Sequence, residues 1–292
     1  MKYIEYGAWL KEQLGTKVQK ISINAGFTCP NRDGRVGHGG CSFCNNQTFN
    51  PEYCQTEKSV TQQLEEGKRF FSRKYPEMKY LAYFQAYTNT YGDVKRCIRL
   101  YEEALSVPDV VGLVIGTRPD CMSDALLDYF EELNHRTFLI IEYGVESAND
   151  DTLRHINRGH SYADSVRAIE RTAQRGIRVG AHIILGLPGE GHDELMRQAK
   201  LVAQLPLTTL KLHQLQIIRG TRMHEEWQAH PWHLPSVDEY IELVLDYISL
   251  LPPSLVFERF VSSSPANLLV APQWGLKNHE FADLLRNAVK ER

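Results

Sequence analysis

No apolar run in this chain approaches the roughly 18 residues that a membrane-spanning helix requires, so no membrane association is expected. Internal repeats, low-complexity tracts and Gly/Ser-rich linkers are also missing, which argues against a solenoid or a string of tethered modules. Neither sign of charge dominates: 33 basic side chains stand against 36 acidic ones, for a net charge of −3. A general electrostatic footprint for nucleic acid is therefore lacking, and only a local basic face would provide one. The opening stretch, MKYIEYGAWLKEQLG, has neither the pattern of a secretory signal nor the Arg/Ser-rich pattern of a transit peptide. A cytoplasmic protein is expected, in a compartment where thiols stay reduced. Cysteine is sparse, with six in 292 residues, and each is expected to be buried, catalytic or metal-bound rather than paired.

What is present is an alternation of short apolar runs and longer amphipathic ones. The candidate strands are VQKISINAG (18–26), YLAYFQAY (80–87), VVGLVIGT (110–117), TFLIIEYGV (137–145), RVGAHIILGLP (178–188) and TLKLHQLQII (209–218). Between them, residues 59–75, 93–105, 122–133, 162–176 and 193–205 carry apolar side chains at three- and four-residue spacing, as helices do. Ser123 and Ser161 are positioned as N-caps or their neighbours, and Gly176 as a C-cap. Strand–helix alternation implies a parallel sheet. Six strands are too few for a closed eight-fold barrel, leaving an open doubly wound sheet or a partial barrel of six βα units. Both bind ligands at the carboxyl ends of their strands. Helices are also expected over 237–251 and 278–292, packed on the core. The chain is read as one domain, 1–292, with a core over about 17–222 and a C-terminal extension over about 223–292.

The chemistry concentrates just after the first strand, in NAGFTCPNRDGRVGHGGCSFC. Cys29, Cys41 and Cys44 are spaced C-x11-C-x2-C in a loop rich in glycine and polar residues. The CxxC pair alone fits a redox dithiol, half a zinc site or part of an iron–sulfur site. His38 or Cys54 would complete a structural zinc site, which takes four protein ligands. A cubane held by three cysteines instead leaves one iron open to an exogenous ligand.

The downstream motifs bear on that choice. TRPD (117–120), GVES (144–147), INRGHS (156–161), GAHIILGLPGE (180–190) and IIRGT (217–221) follow successive strands. In order and position, together with the cysteine loop, they resemble the radical SAM superfamily over nearly the whole chain. The aromatic before the last cysteine, Phe43, fits as well. The first cysteine gap is longer than the superfamily's usual C-x3-C-x2-C. That departure resembles the subgroup of the Elongator catalytic subunit, and within it the small single-domain YhcC/YtqA-type members. The fold this implies is α/β: a partial (β/α)6 TIM-type barrel with a C-terminal helical extension. Nothing in the chain resembles the acetyltransferase domain of the Elongator subunit, so acetyl-CoA chemistry is not carried over.

The resemblance implies a [4Fe–4S] cluster on Cys29, Cys41 and Cys44 that binds S-adenosylmethionine (SAM) at its open iron. Reductive cleavage of SAM would generate a 5′-deoxyadenosyl radical, with an electron donor of flavodoxin or ferredoxin type. In FQAYTNT (84–90) the superfamily's glycine-rich segment is replaced, and Gln85, Thr88 and Asn89 offer acceptors for the SAM ammonium. Glu146 is expected near the ribose, Arg158 at the SAM carboxylate, His182 at ribose or adenine, and Gly186, with Pro188 and Gly189, near adenine. The plainer readings are an ion pair between Glu146 and Arg158, core roles for His182 and His213, and an Arg118–Asp120 pair that caps the next helix. Cys97 reads as a core residue and Cys121 as inert; Cys54 would be an auxiliary ligand only with other cysteines nearby.

The expected substrate is tRNA, modified at a wobble uridine, by the same resemblance. Lys17, Lys20, Arg32 and Arg35 near the cysteine loop, and Arg259, Trp274 and Lys277 in the tail, are candidate contacts. The alternatives are a small metabolite or porphyrin-like substrate, and a non-enzymatic zinc or redox-sensing protein. A Cys41→Ala variant, purified anaerobically, is expected to lose both the brown cluster absorbance and SAM cleavage; turnover that persists would refute the ligand assignment.

Overall fold

The computed structural model describes residues 2–48, 50–72 and 77–292. The six expected strands are all present, as β2 (Val18–Ile23), β3 (Lys79–Phe84), β4 (Val110–Thr117), β5 (Phe138–Glu146), β6 (Arg178–Leu185) and β7 (Thr209–Gln214). The connecting helices include α2 (Val60–Ser72), α3 (Val94–Leu105), α4 (Asp124–Arg136), α6 (Tyr162–Ala173) and α7 (His192–Val202). The last three residues of the helix expected over 59–75 lie outside the described residues. Ser123 and Ser161 accept from Leu126 and Asp164 backbone N–H groups as N-caps, and Asp164 completes a capping box.

Two further strands join the sheet. β1 (Ile4–Glu5) and β9 (Val256–Arg259) extend it to the order β1-β9-β7-β6-β5-β4-β3-β2, with every pairing parallel. The tail holds the two expected helices, Val237–Ser249 and Asn278–Glu291, and short strands that were not expected. It supplies β9, which pairs between β7 and β1, and β10 (Leu269–Ala271), which pairs with β8 (Ile217–Ile218). These strands are two to four residues long, below the length at which alternation is readable.

The sheet curls into a partial barrel, and one ion pair shows how far. β2 and β9 are six interstrand steps apart in the sheet order. In a flat sheet that is about 29 Å, at roughly 4.8 Å per step. Yet Lys20 Nζ of β2 lies 2.5 Å from Glu258 Oε2 of β9. The two side chains meet only because the sheet bends around its own interior.

The two faces of the sheet bury different chemistry. Outward-facing Ile21, Phe84, Ile115, Ile141, Val179 and Leu212 join the helices in one continuous apolar core. On the inner face, α1 (Tyr6–Leu14) packs Tyr6 and Leu10 against Leu81, Val114, Phe138 and Ile140, plugging the amino-terminal end of the barrel. Next to this plug lies a box of charges. Glu142 of β5 accepts from Lys20 at 2.9 Å and from Lys211 of β7 at 2.6 Å, while Glu258 pairs with both lysines, at 2.5 and 3.0 Å. Lys211 also donates to the Tyr83 hydroxyl at 2.8 Å. Each charge has opposite partners on two sides, which is what makes such deep burial tolerable.

Removing one member strands the others. Lys211→Met is expected to cost about 3 kcal/mol or more of stability. A urea denaturation midpoint equal to that of the parent protein would show that the box is not structural.

Candidate active site

Beyond the charged box, a cavity of about 210 Å3 opens at the carboxyl ends of the strands. Cys29, Cys41 and Cys44 all line it. The 11-residue gap between the first two does not separate them, because most of it folds back on itself. Val36 and Gly37 N–H groups donate to Pro30 O, Asp33 and His38 form an isolated antiparallel bridge, and Gly40 N donates to Asn31 O at 2.8 Å. The chain thus leaves Cys29, makes a small hairpin, and returns at Cys41. Arg32 pins the return by donating to Cys44 O at 3.1 Å. His38 lies on the hairpin and Cys54 is buried elsewhere; neither lines the cavity. Cys97 is fully buried in the helical core, and burial pushes the Cys121 thiol, beside Asp120, up to about 12.

The loop is anchored to the segment after β5. Asn157 donates to Gly40 O, Ser42 N donates to Ile156 O, and the Asn31 amide bonds Asn157 O. Arg158 then reaches into the site. Its Nη1 faces Cys41 Sγ at 3.4 Å, and its Nη2 donates to Gly144 O and lies 3.5 Å from Glu146 Oε1. This is the Glu146–Arg158 pair weighed from sequence, but it is buried rather than on the surface. Glu146 adopts a left-handed φ of 70°, a conformation non-glycine residues take only where the surroundings impose it. Gly144 leaves the room: a Cβ there would sit 2.5 Å from Glu146 Oε1 and 2.6 Å from Arg158 Nη2. Burial raises the Glu146 carboxyl above the ordinary range even with Arg158 beside it.

TRPD and GLPGE support this arrangement from behind. Arg118 holds Asp120 through two bonds of 2.9 and 2.8 Å and donates its Nη1 to Arg158 O at 2.8 Å. Glu190 accepts from Ser147 and Gln198, tying the GVES turn to α7.

Of the SAM-site residues expected from sequence, Phe43, Gln85, Thr88, Glu146, Arg158 and His182 line the cavity together with the three cysteines. Asn89 and Gly186 do not. The Asn89 amide is spent on Phe84 O and Gly116 O, bracing the ends of β3 and β4, and Gly186 makes a left-handed turn at φ 91° beside Pro235. Lys20, expected at the surface, is in the charged box. Trp274 packs on Tyr240 and Phe281 and donates to Pro235 O, a packing role. Sequence reasoning missed Tyr83, Glu142, Lys211 and Glu258. For the three charged residues the signal was charge inside runs otherwise fit for burial: LIIEYGV, TLKLHQ and LVFER.

The donor set suits an iron–sulfur cube. Among the described residues, no three His, Cys, Asp or Glu side chains converge as for a single ion. A tetrahedral zinc with bonds of about 2.3 Å needs thiolates roughly 3.8 Å apart, whereas a cube places each cysteine on its own iron. Arg158 and Asn31 both direct N–H groups at Cys41 Sγ, at 3.4 and 3.7 Å, as an anionic sulfur requires. Burial and the neighbouring Cys41 push the free Cys44 thiol up to about 11, so a bound metal would have to supply the charge that keeps it ionised.

The sequence matches the family model described as the radical SAM superfamily over residues 28–202, and that of the radical SAM C-terminal domain over 207–291. The chain belongs to the radical SAM superfamily. It is 36% identical to the uncharacterized protein YtqA of Bacillus subtilis, over 97% of this chain and 88% of that one. It is 38% identical to protein YhcC of Escherichia coli K12, over 92% and 86%. A more distant match is the tRNA uridine(34) acetyltransferase of Methanocaldococcus infernus, 24% identical over 68% of this chain and 39% of that one. Among solved structures, the archaeal Methanocaldococcus infernus Elp3 with an N-terminal deletion aligns with a TM-score of 0.70 at 19% identity, over 94% of this chain and 63% of that one. The protein is a radical SAM enzyme, and the superfamily's cofactors are a [4Fe–4S] cluster and SAM. The reading of a non-enzymatic zinc or redox-sensing protein is thereby corrected. No helix among the described residues is long and apolar enough to cross a membrane.

The buried histidines give the radical SAM fold an acid-sensitive stability. Burial, then Lys211, lowers His182 from 6.5 to about 4; burial, then Arg158, lowers His160 to about 3. Both titrate lower in the folded than in the unfolded chain. The unfolded chain therefore binds the extra protons, and stability present above pH 6.5 is lost as pH falls toward 4. The expected decline is about 1.4 kcal/mol per pH unit for each histidine. A urea midpoint that stays flat between pH 6.5 and 4 would contradict it.

Proposed function

We propose that this radical SAM enzyme modifies tRNA at a wobble uridine. Cys29, Cys41 and Cys44 hold the cluster, and Phe43, Gln85, Thr88, Glu146, Arg158 and His182 surround SAM. When bound, the two cofactors would supply radical chemistry driven by one electron from a flavodoxin- or ferredoxin-type donor. The chain's own residues orient and shield. The Arg158 guanidinium, fixed by Gly144 O and Glu146, directs a second N–H at Cys41 sulfur and presents positive charge where a ligand carboxylate would bind. Phe43 packs against an apolar cluster that includes Leu153, Ile156, Ile184 and Met223, keeping water from that side of the cavity. The working compartment is the cytoplasm, and residues 1–292 act as one domain.

The observation that carries the RNA reading is the chemistry at the cysteine hairpin. Arg32 lies over the ring of Tyr87 at 5.7 Å, and Arg35 over Tyr91 at 5.8 Å. Arg32 and Tyr87 line the cavity, and Arg35, Val36 and Tyr87 are exposed. Cations beside an exposed and a half-buried tyrosine offer phosphate contacts and a stacking surface for an unstacked base. The sequence similarity to a tRNA uridine(34) acetyltransferase supports the same substrate class.

The test is a comparison of modified nucleosides in tRNA from cells with and without the gene, joined to binding measurements on anaerobic protein. One wobble-uridine nucleoside is expected to change. Binding to total tRNA is expected to weaken steeply with salt, and Arg35→Ala to reduce the log–log salt slope by about 1. An unchanged nucleoside profile, or binding indifferent to salt, would refute the proposal.

A further inference from the structure

The cations that line the cavity are not equivalent. Arg118 is neutralised by Asp120, Arg158 faces Cys41 and Glu146, and Arg32 caps the carbonyl of Cys44. Arg259 is different. Among the described residues no carboxylate lies within ion-pairing distance of it. Its Nε is buried without a partner, and its Nη2 only approaches the His213 ring, at 3.4 Å. The neighbouring Glu258, the nearest acidic group in sequence, is engaged by Lys20 and Lys211.

The charge count of this part of the cavity follows from those contacts. Lys20 and Lys211 balance Glu142 and Glu258, so the box is neutral and Arg259 leaves a net charge of +1. His182 and His213 line the cavity beside it, their ring centroids 5.6 Å apart. Burial lowers both rings, with Arg259 itself opposing protonation of His213, so each is a neutral imidazole. A part-buried guanidinium with an unsatisfied N–H and no anion is an unfinished interaction. Arg259 lines the cavity, and a planar guanidinium without an anion suits the oxygens of a carboxylate. The site also disfavours a dianion, because Glu142 lies 3.1 Å from His182 Nε2 on the same floor.

We infer that Arg259, with His213 and His182, is the binding subsite for a carboxylate of a small acidic substrate or co-substrate, separate from the carboxylate of SAM. The subsite is set deep. Arg259 is in register with Lys211 in the body of β7, whereas Cys29 lies six residues beyond the end of β2. A small acid anchored there extends from the charged box toward the cysteines, which places its carbon atoms between the anchor and the cluster side. This rests on the radical SAM reading of the cavity but not on RNA as the second substrate.

The experiment uses anaerobically reconstituted protein saturated with SAM, titrated calorimetrically with acetate and, separately, with inorganic phosphate at constant ionic strength. Acetate is expected to bind saturably in the millimolar range and in preference to phosphate. Arg259→Gln should weaken acetate about tenfold or more, and Arg259→Lys should recover part of the loss. SAM affinity and 5′-deoxyadenosine formation with dithionite should be unchanged in both variants. Three results would overturn the inference: no saturable acetate binding, or the same binding in Arg259→Gln; tighter binding of phosphate, which would reassign the subsite to a phosphate group; or a matching loss of SAM affinity, which would give the guanidinium to SAM itself. Absence of SAM cleavage in the parent protein would instead strike at the radical SAM reading.

Discussion

The ion pair between Lys20 and Glu258 closes the mouth of an otherwise open sheet, and the rest of the structure depends on it. It joins strands at opposite sides of the barrel, and Glu142 and Lys211 extend the link to the middle of the sheet. A purely apolar interior would have collapsed or filled with larger side chains. Charges that satisfy one another around a ring hold the strands apart at a fixed spacing and keep the space above them polar and open. The apolar plug from α1 protects the box on one side, and the cavity lies on the other.

Above that base, the active-site cavity is organised by arginines with distinct tasks. Arg118 fixes the main chain at Arg158, Arg158 faces the sulfur of Cys41, and Arg32 fixes the carbonyl of Cys44. Positive charge is therefore concentrated around the three thiols, whose sulfurs carry negative charge when they hold a metal. The strain at Glu146 and the bare Cα of Gly144 belong to the same design: the carboxylate is turned toward Arg158, and no side chain is left in its way.

The long first gap in the cysteine motif is explained by local folding. Three thiols spread over sixteen positions, 29–44, reach one cavity because the intervening segment hydrogen-bonds to itself as a hairpin. That hairpin also carries Arg35 to the exposed side of the site. The long gap thus shapes both the cysteine loop and the surface beside it.

Six strands, their helices and two helix caps were legible in the sequence, because periodicity and capping are local. The cysteine loop and most strand-end residues were legible for a related reason: a parallel sheet gathers whatever follows each strand at one end. Asn89 and Gly186 follow strands too, yet their atoms are committed to backbone bracing and a turn, which spacing does not reveal. β1 and β9 were too short to show a pattern. The box was visible only as misplaced charge, since Lys20 meets Glu142 across 122 positions and Glu258 across 238. The sequence by itself determined the kind of fold and the chemistry of its loop. Only the tertiary structure decided which charges neutralise one another and that Arg259 has none to meet, because ion pairing in a curled sheet depends on distances across the barrel that no local pattern encodes.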